Sequence, residues 1–307
     1  MEWIIFLGLV VSLFTLDFWI FAKRPDTLKN HVFETLFFVF FGLLFSGYIW
    51  YLDGPQLSYE YLTCYIVEKA MSLDNLFVIS TIFAYFSIPG KYQHRVLFWG
   101  IIGVIFFRGI LIFFGVALIN QFSWLNYIFA AILLWTAWKM WTTTEEDNVE
   151  YEATWVVRQI KHILPTRKSK NGEFFGRDTT HTDGTGKSMM YASSLFVALM
   201  VVETTDVMFA FDSIPTTLTI TKDFYVAFTS NIMAVLGLRA LFFVVEHIKN
   251  AFIHVEKSII FILVFIGIKI FGEHFFHIPI SVSLGVIALS LTTGVLASVY
   301  LPAKEEA

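Results

Sequence analysis

The chain has 307 residues, 57% of them hydrophobic and 15% charged, where soluble domains are about 45–50% apolar and about 25% charged. Of its 46 charges, 15 fall between Thr142 and Lys187, leaving 31 for the other 261 residues. That balance excludes a soluble single domain, a disordered chain and a nucleic-acid-binding protein. It points to an all-α, polytopic transmembrane helical bundle.

A bilayer core needs about 20 mostly apolar residues per helix. Nine segments qualify: Trp3–Ala22, Thr35–Leu52, Tyr59–Phe86, Val96–Ile119, Trp124–Trp141, Met189–Phe211, Phe224–Val245, Ser258–Phe271 and Ile278–Leu301. The first reads as a span and not a cleavable signal, because it lacks a basic leader and holds Asp17. The loops after spans one, three, five and seven are basic, with Lys23 and Arg24, Lys91 and Arg95, seven residues from Arg158 to Lys187, and Lys249 and Lys257. The intervening loops carry only Lys222. The positive-inside bias then places the N-terminus in the periplasm and the C-terminus in the cytoplasm. Trp50, Tyr51, Trp124 and Trp141 sit at span ends as interfacial anchors.

Two blocks of three spans look duplicated. Asp74 and Asp206, Arg108 and Arg239, and Lys139 and Lys269 recur in order at offsets of 132, 131 and 130. Span three runs inward and span six outward, so the blocks are inverted repeats, a common construction of secondary transporters. A second register, at offset 138, pairs Glu68 with Asp206 and Asp74 with Asp212. Both registers stay open. The organisation is then spans one and two (1–58), a three-helix unit (59–141), a charged cytoplasmic loop (142–188), an inverted three-helix unit (189–272), and the ninth span with its tail (273–307). The loop mixes charge with glycines and reads as partly ordered or flexible.

Ionisable groups inside spans cost roughly 2.5–3.5 kcal/mol each on insertion scales and mark pathways by default. The acids are Asp17, Glu68, Asp74, Glu203, Asp206 and Asp212; the bases are Lys69, Arg108, Arg239, Lys269 and, near an end, Lys139. Glu203 and Asp206, three apart, share a helix face, and Glu68, Ser72 and Asn75 form a similar stripe. Pro215 disfavours α conformation at Ile214, so span six is expected to break there and free carbonyls beside Asp212 and Ser213. Carboxylates with Asn, Ser and backbone oxygens, without Cys or paired His, suit a hard cation such as Mn²⁺, Mg²⁺ or Ca²⁺. The competing reading is that the acids neutralise the interior bases in buried ion pairs; the bases can also hold the acids while the ion is absent. His31, His94, His247 and His254, at span ends, are expected to be solvated or interfacial. His162 and His181, with Asp178 and Asp183, make a weaker regulatory metal candidate in the loop. A single cysteine, Cys64, allows neither a disulfide within the chain nor a multi-thiolate metal centre.

The stretch Val67-Glu68-Lys69-Ala70-Met71-Ser72-Leu73-Asp74-Asn75-Leu76-Phe77-Val78 resembles the first signature of the TerC family. Val202-Glu203-Thr204-Thr205-Asp206-Val207-Met208-Phe209-Ala210-Phe211-Asp212-Ser213-Ile214-Pro215 resembles its second. Thr229-Ser230-Asn231 through Leu238-Arg239-Ala240 and Phe276-His277-Ile278-Pro279-Ile280 are similar as well, and Thr216 departs from the family's usual alanine. The resemblance covers nearly the whole chain and is nearest the Alx branch. It implies a bacterial inner-membrane protein of LysE-like transporter architecture that exports manganese through the acids of the two signatures. It also carries the labels tellurium resistance and membrane-bound redox modulator; the second finds little support in a chain with one cysteine and no haem, flavin or quinone motif.

The expectation is an exporter of divalent manganese. Glu68, Asp74, Glu203, Asp206 and Asp212 would ligate the ion, with Asn75, Ser213 and Asn231 as neutral oxygen ligands and Asp17 as a weaker candidate. Lys69, Arg108, Arg239, Lys269 and Lys139 would pair charge or gate. Proton coupling is expected because neighbouring carboxylates compete to stay ionised. Partners are the bilayer, the ion and protons, with no cofactor beyond the ion. No nucleotide motif and no nucleophile–His pair is present, so neither ATP drive nor an enzyme is expected. The rival is a tellurium-resistance or stress-response component acting through partners.

Overall fold

The computed structural model describes residues 2–21, 24–122, 124–142, 157–160, 165–167, 172–182, 188–247, 255–272 and 278–300. In chain order they form α1 (Glu2–Trp19), α2 (Leu28–Asp53), α3 (Pro55–Tyr85), α4 (Gly90–Gln121) and α5 (Leu125–Thr142). A small sheet follows, then α6 (Ser194–Ile220), α7 (Phe224–Val235), α8 (Leu238–His247), α9 (Val255–Phe271) and α10 (Ile280–Tyr300). Polar side chains start several of them. Thr27 Oγ1 accepts from Asn30 N at 3.4 Å and Asp223 Oδ1 from Val226 N at 2.9 Å, each satisfying a donor that a helix start leaves open.

A helix lies within each of the nine expected segments. Five helices (α1, α2, α4, α6 and α10) are long and apolar enough to cross a bilayer by themselves, and six if the bent pair α7–α8 is one span. α3 falls outside that count because it spreads Glu60, Glu68, Lys69 and Asp74 over 31 residues. α9 has only 17 residues, and the apolar stretch of α5 is Tyr127–Trp138. Phe106, Phe114 and Leu289 point outward and exposed, whereas Arg108, Glu68 and Arg239 are buried. That is the reverse of a soluble bundle and is what a lipid solvent imposes. Trp50, Tyr51, Trp124 and Trp141 stand exposed at or beside helix ends, as interfacial anchors do.

The central helix is α3, on which α2, α6, α7, α8 and α10 pack, while α4 lies along α6 and α5 along α9. Gly100 faces Val202, Gly103 faces Glu203, and Gly115 faces Leu218. The register rises along both helices, so α4 and α6 run in the same direction, and small residues let their backbones approach.

Three expectations are corrected. The charged loop contains a sheet of β1 (Thr166–Arg167), β2 (Phe175–Thr182) and β3 (Ser188–Ser193), in the order β1-β3-β2. Pairing of β3 with both neighbours takes the residues up to Ser193, so the sixth span begins at Ser194 and not Met189. Nor does that span break at Pro215; α6 continues to Ile220. Proline removes one backbone bond, but Ile214, Thr216 and Thr217 are buried around it and the surrounding helices hold the segment. The break lies in span seven instead, a 45° bend between α7 and α8. Gly237 sits there at φ 81, and a β-carbon would come within 2.6 Å of Phe38 Cβ. Both observations require glycine.

Candidate cation site and a second buried arginine cluster

Near the middle of the bundle α3, α4, α6 and α7 each send one polar side chain to a common point. Arg108 of α4 is fully buried. Its Nε and Nη2 donate to Asp206 Oδ2 and Oδ1 at 3.1 and 2.9 Å, a bidentate fork suited to a planar guanidinium. Its Nη1 donates to Glu68 Oε1 of α3 and, at 3.4 Å, to Asn231 Oδ1 of α7. Glu203 lies one helical turn before Asp206 and sits where Gly103 of α4 leaves room; a β-carbon at Gly103 would collide with its carboxylate. Glu203 Oε2 and Asn231 Nδ2 are buried with no hydrogen-bond partner among the described residues. Two carboxylates, Glu68 and Asp206, therefore hold one guanidinium, with Glu203 one turn from Asp206 on α6. The acceptors on the guanidinium are all oxygen, the donor type a hard cation takes. Among the described residues, no three His, Cys, Asp or Glu side chains are arranged to hold a metal ion.

Lys69 follows Glu68 on α3 but faces the break in span seven. Its Nζ donates to the carbonyls of Ala234 and Leu236 at 2.8 and 3.3 Å. These are carbonyls that the end of α7 leaves without helical partners. A tethered ammonium thus caps the α7 half of the bent span.

A second cluster lies at the end of the bundle where α1 and α8 finish and α2 and α4 begin. Arg239 of α8 forks onto Asp17 of α1, Nε to Oδ2 at 3.0 Å and Nη2 to Oδ1 at 2.8 Å. Its Nη1 stands 3.1 Å from His94 Nδ1 of α4, and Nη2 stands 3.7 Å from Glu34 Oε2 of α2. His31, one turn before Glu34, pairs through Nε2 with Asp26 Oδ1 at 2.7 Å. That hydrogen bond is the main reason the Asp26 carboxyl is held below its usual value, against a smaller desolvation effect.

At the opposite end a cavity of about 450 Å³ opens among α3, α6, α9 and α10. Gln56, Glu60, Lys222, Asp223 and Lys269 supply its polar lining. Glu60 is two turns before Glu68, so the cavity, the Arg108 cluster and the Arg239 cluster stand in sequence along the bundle.

Of the residues singled out from the sequence, Glu68, Asp206, Arg108 and Asn231 meet at one place, with Glu203 one turn from Asp206. Ser213 lies on the same face of α6 two turns beyond Asp206, its Oγ buried with no hydrogen-bond partner among the described residues. Asn75 is likewise buried two turns beyond Glu68. Lys69, Arg239, Asp17 and Lys269 go elsewhere: to the helix break, to the end cluster, and, for Lys269, to Ser283 Oγ at 2.8 Å in the cavity wall. The side chains of Asp74, Asp212, Lys139 and His181, and His162 and His254 entirely, lie outside the described residues. Two residues escaped the sequence reading. Glu34 falls one position before the expected second span and is almost wholly buried, and His31, expected at the interface, is buried too. Their spacing of three at the head of an apolar run was the available signal.

The integral membrane protein TerC family matches residues 53–306. A Rickettsia bellii protein described as an uncharacterized membrane protein is 43% identical over 302 residues, 97% of each chain. The tellurium resistance protein TerC of Serratia marcescens is 34% identical, covering 99% of this chain and 94% of its own. Alx of Salmonella typhi, named as a candidate membrane-bound redox modulator, is 37% identical over 94% of this chain and 90% of its own. No solved structure matches.

Proposed function

Because the chain belongs to the TerC family of integral membrane proteins, we propose that it carries divalent manganese out across the bacterial inner membrane, in exchange for protons. The observation that carries the reading is the surplus of carboxylates at mid-depth: Glu68 and Asp206 share Arg108, and Glu203, one turn before Asp206, has its Oε2 buried with no donor among the described residues. In the resting arrangement Arg108 fills the cation's position. An incoming ion displaces the guanidinium and takes oxygen from Glu68, Asp206, Glu203 and Asn231, with Asp74, Asp212, Asn75 and Ser213 as further ligands. A displaced arginine would otherwise leave two buried carboxylates uncompensated, so ion entry and arginine exit are linked.

Helix pairing supports two inverted three-helix units. α4 lies along α6 as α7–α8 lies along α3, and α5 meets α9, the exchange of partners that such a repeat requires. The parallel run of α4 and α6 suits the orientation read from Lys and Arg, with the N-terminus periplasmic and the C-terminus cytoplasmic. In that orientation the cavity at Glu60 and Asp223 faces the periplasm. The protein acts as a carrier and not as an enzyme, and the transported ion and protons are its only small partners.

Mass spectrometry of cells challenged with Mn²⁺ tests this directly. Cells with the wild-type protein are expected to hold less manganese than cells with Asp206→Asn or empty vector, at equal protein levels. Equal manganese in all three, with magnesium, calcium, zinc and iron also unchanged, would overturn it. The names of relatives favour a second reading, tellurium resistance acting through partners. Tellurite survival that persists in Glu203→Gln and Asp206→Asn, without any metal efflux, would put that reading first.

A further inference from the structure

We propose that His31 and Glu34 form a second metal site, at the end of the bundle held by Arg239, and that it takes a first-row divalent transition metal. The proposal rests on the carrier reading for its place on the path, where it is the cytoplasmic station that meets the ion first.

The His31 ring is buried, and Asp26 fixes its tautomer. Asp26 Oδ1 lies 2.7 Å from Nε2, and a carboxylate oxygen at that distance accepts, so Nε2–H donates. That leaves the Nδ1 lone pair as the ring's free function. Nδ1 is buried with no hydrogen-bond partner among the described residues, and so are both Glu34 oxygens. The two face each other, Nδ1 to Oε2 at 3.7 Å, too far for a hydrogen bond. Two metal–ligand bonds of about 2.1 Å span such a gap at an angle of about 120°. A carboxylate on the far nitrogen of an imidazole is also the usual support of a metal-bound histidine, since it fixes the ring and raises its basicity. Asp26–His31–Glu34 is that arrangement with the ion's position open.

Further donors surround Arg239. His94 Nδ1, 3.1 Å from Nη1, has its lone pair taken by the guanidinium and becomes available only when Arg239 moves, and Asp17 is held in the same way at 2.8 Å. The Phe243 ring packs against both imidazoles, 4.9 Å from His31 and 4.0 Å from His94, which limits their rotation. Three of the four donors converge on one arginine. An ion bound at His31 and Glu34 competes with Arg239 for Glu34, then for Asp17 and His94. An imidazole ligand at His31 discriminates against Mg²⁺ and Ca²⁺, which prefer oxygen alone. The oxygen-only cluster at Arg108 cannot make that distinction.

Electron spin echo spectroscopy of Mn²⁺ bound to the purified full-length protein, free of any histidine tag, separates the two sites by their nitrogen content. Histidine ¹⁴N modulation is expected in the wild type, is replaced by the ¹⁵N pattern after labelling with [¹⁵N]histidine, and persists in Asp206→Asn. His31→Ala is expected to remove it and to weaken Mn²⁺ binding about 10–100-fold. Glu34→Gln, which keeps the side chain's shape should His31→Ala fail to fold, is expected to do the same. Absence of nitrogen modulation in the wild type overturns the proposal, as does modulation unchanged in a folded His31→Ala or Glu34→Gln protein. Cell manganese measured with the same variants keeps the outcomes apart. Efflux by a wild type without nitrogen modulation removes this site and leaves the exporter. Nitrogen modulation without efflux leaves the site and removes the exporter.

Discussion

Two buried arginines organise this protein, and they are held differently. Arg108 and Arg239 each fork onto one aspartate with nearly the same geometry. Around Arg108, at mid-depth, every other partner is an oxygen from an acid or an amide. Around Arg239, at the end of the bundle, the remaining neighbours are a glutamate and an imidazole. An identical fork is thus set in two donor environments, one suited to hard cations and one to imidazole-binding metals. Position along the bundle, and not the arginine, sets which donors each cluster presents.

The largest effect expected is from removing the central cation. Arg108→Met leaves Glu68 and Asp206 buried without a counter-charge and should cost about 3–5 kcal/mol, read as a lower unfolding midpoint in detergent. Adding Glu68→Gln and Asp206→Asn should restore most of it, because the orphaned charges go with the arginine. Arg239→Met, nearer the end of the bundle, should cost less; equal losses would remove the distinction of depth. Next in size is Gly237→Ala, which forces a side chain into a left-handed conformation against Phe38 and should cost about 1–3 kcal/mol, more than Gly47→Ala on α2, where a β-carbon meets nothing within 4 Å.

Glu203→Gln should leave the unfolding midpoint at or above the wild-type value, since Oε2 has no donor to lose, while abolishing manganese efflux. Gly103→Ala should reach the same end by pushing the carboxylate from its seat. Loss of stability without loss of efflux in either variant would make Glu203 a structural residue. The smallest effect concerns Asp26, whose side chain is 61% exposed. Its depressed carboxyl contributes stability present above the ordinary value of 3.8 and lost as pH falls through the lower folded value. Screening keeps the contribution to about 1 kcal/mol or less. Wild type and Asp26→Asn should differ slightly at neutral pH and converge in acid.

The helices and the acidic site were legible because lipid makes both conspicuous. A bilayer forces long apolar runs, and it makes Glu68, Arg108, Glu203 and Asp206 stand out within them. Less visible was anything decided by packing between distant segments. Pro215 looked like a break because its local cost is plain, yet α6 is held by neighbours that no local pattern encodes. The real break is at Gly237, where the need is close approach to Phe38, 199 positions earlier. Glu34 and His31 were passed over as a span's polar margin because their burial depends on α1, α4 and α8. Arg239 found Asp17 by the same route. The sheet in the charged loop was hidden because its strands alternate weakly and its charges read as a solvated linker.

The bend at Gly237 has a mechanical consequence. Asn231, on α7, belongs to the mid-depth cluster, while Arg239, on α8, commands the end one, so a single span carries a component of each on either side of a joint. Lys69 pins that joint by grasping the carbonyls of Ala234 and Leu236 from outside the span. A swing of α8 about Gly237 would carry Arg239 away from Asp17 while Asn231 stayed beside Arg108. Lys69 thus anchors the α7 half and leaves the α8 half, beyond Gly237, as a separate lever, so that one station could open while the other remained shut.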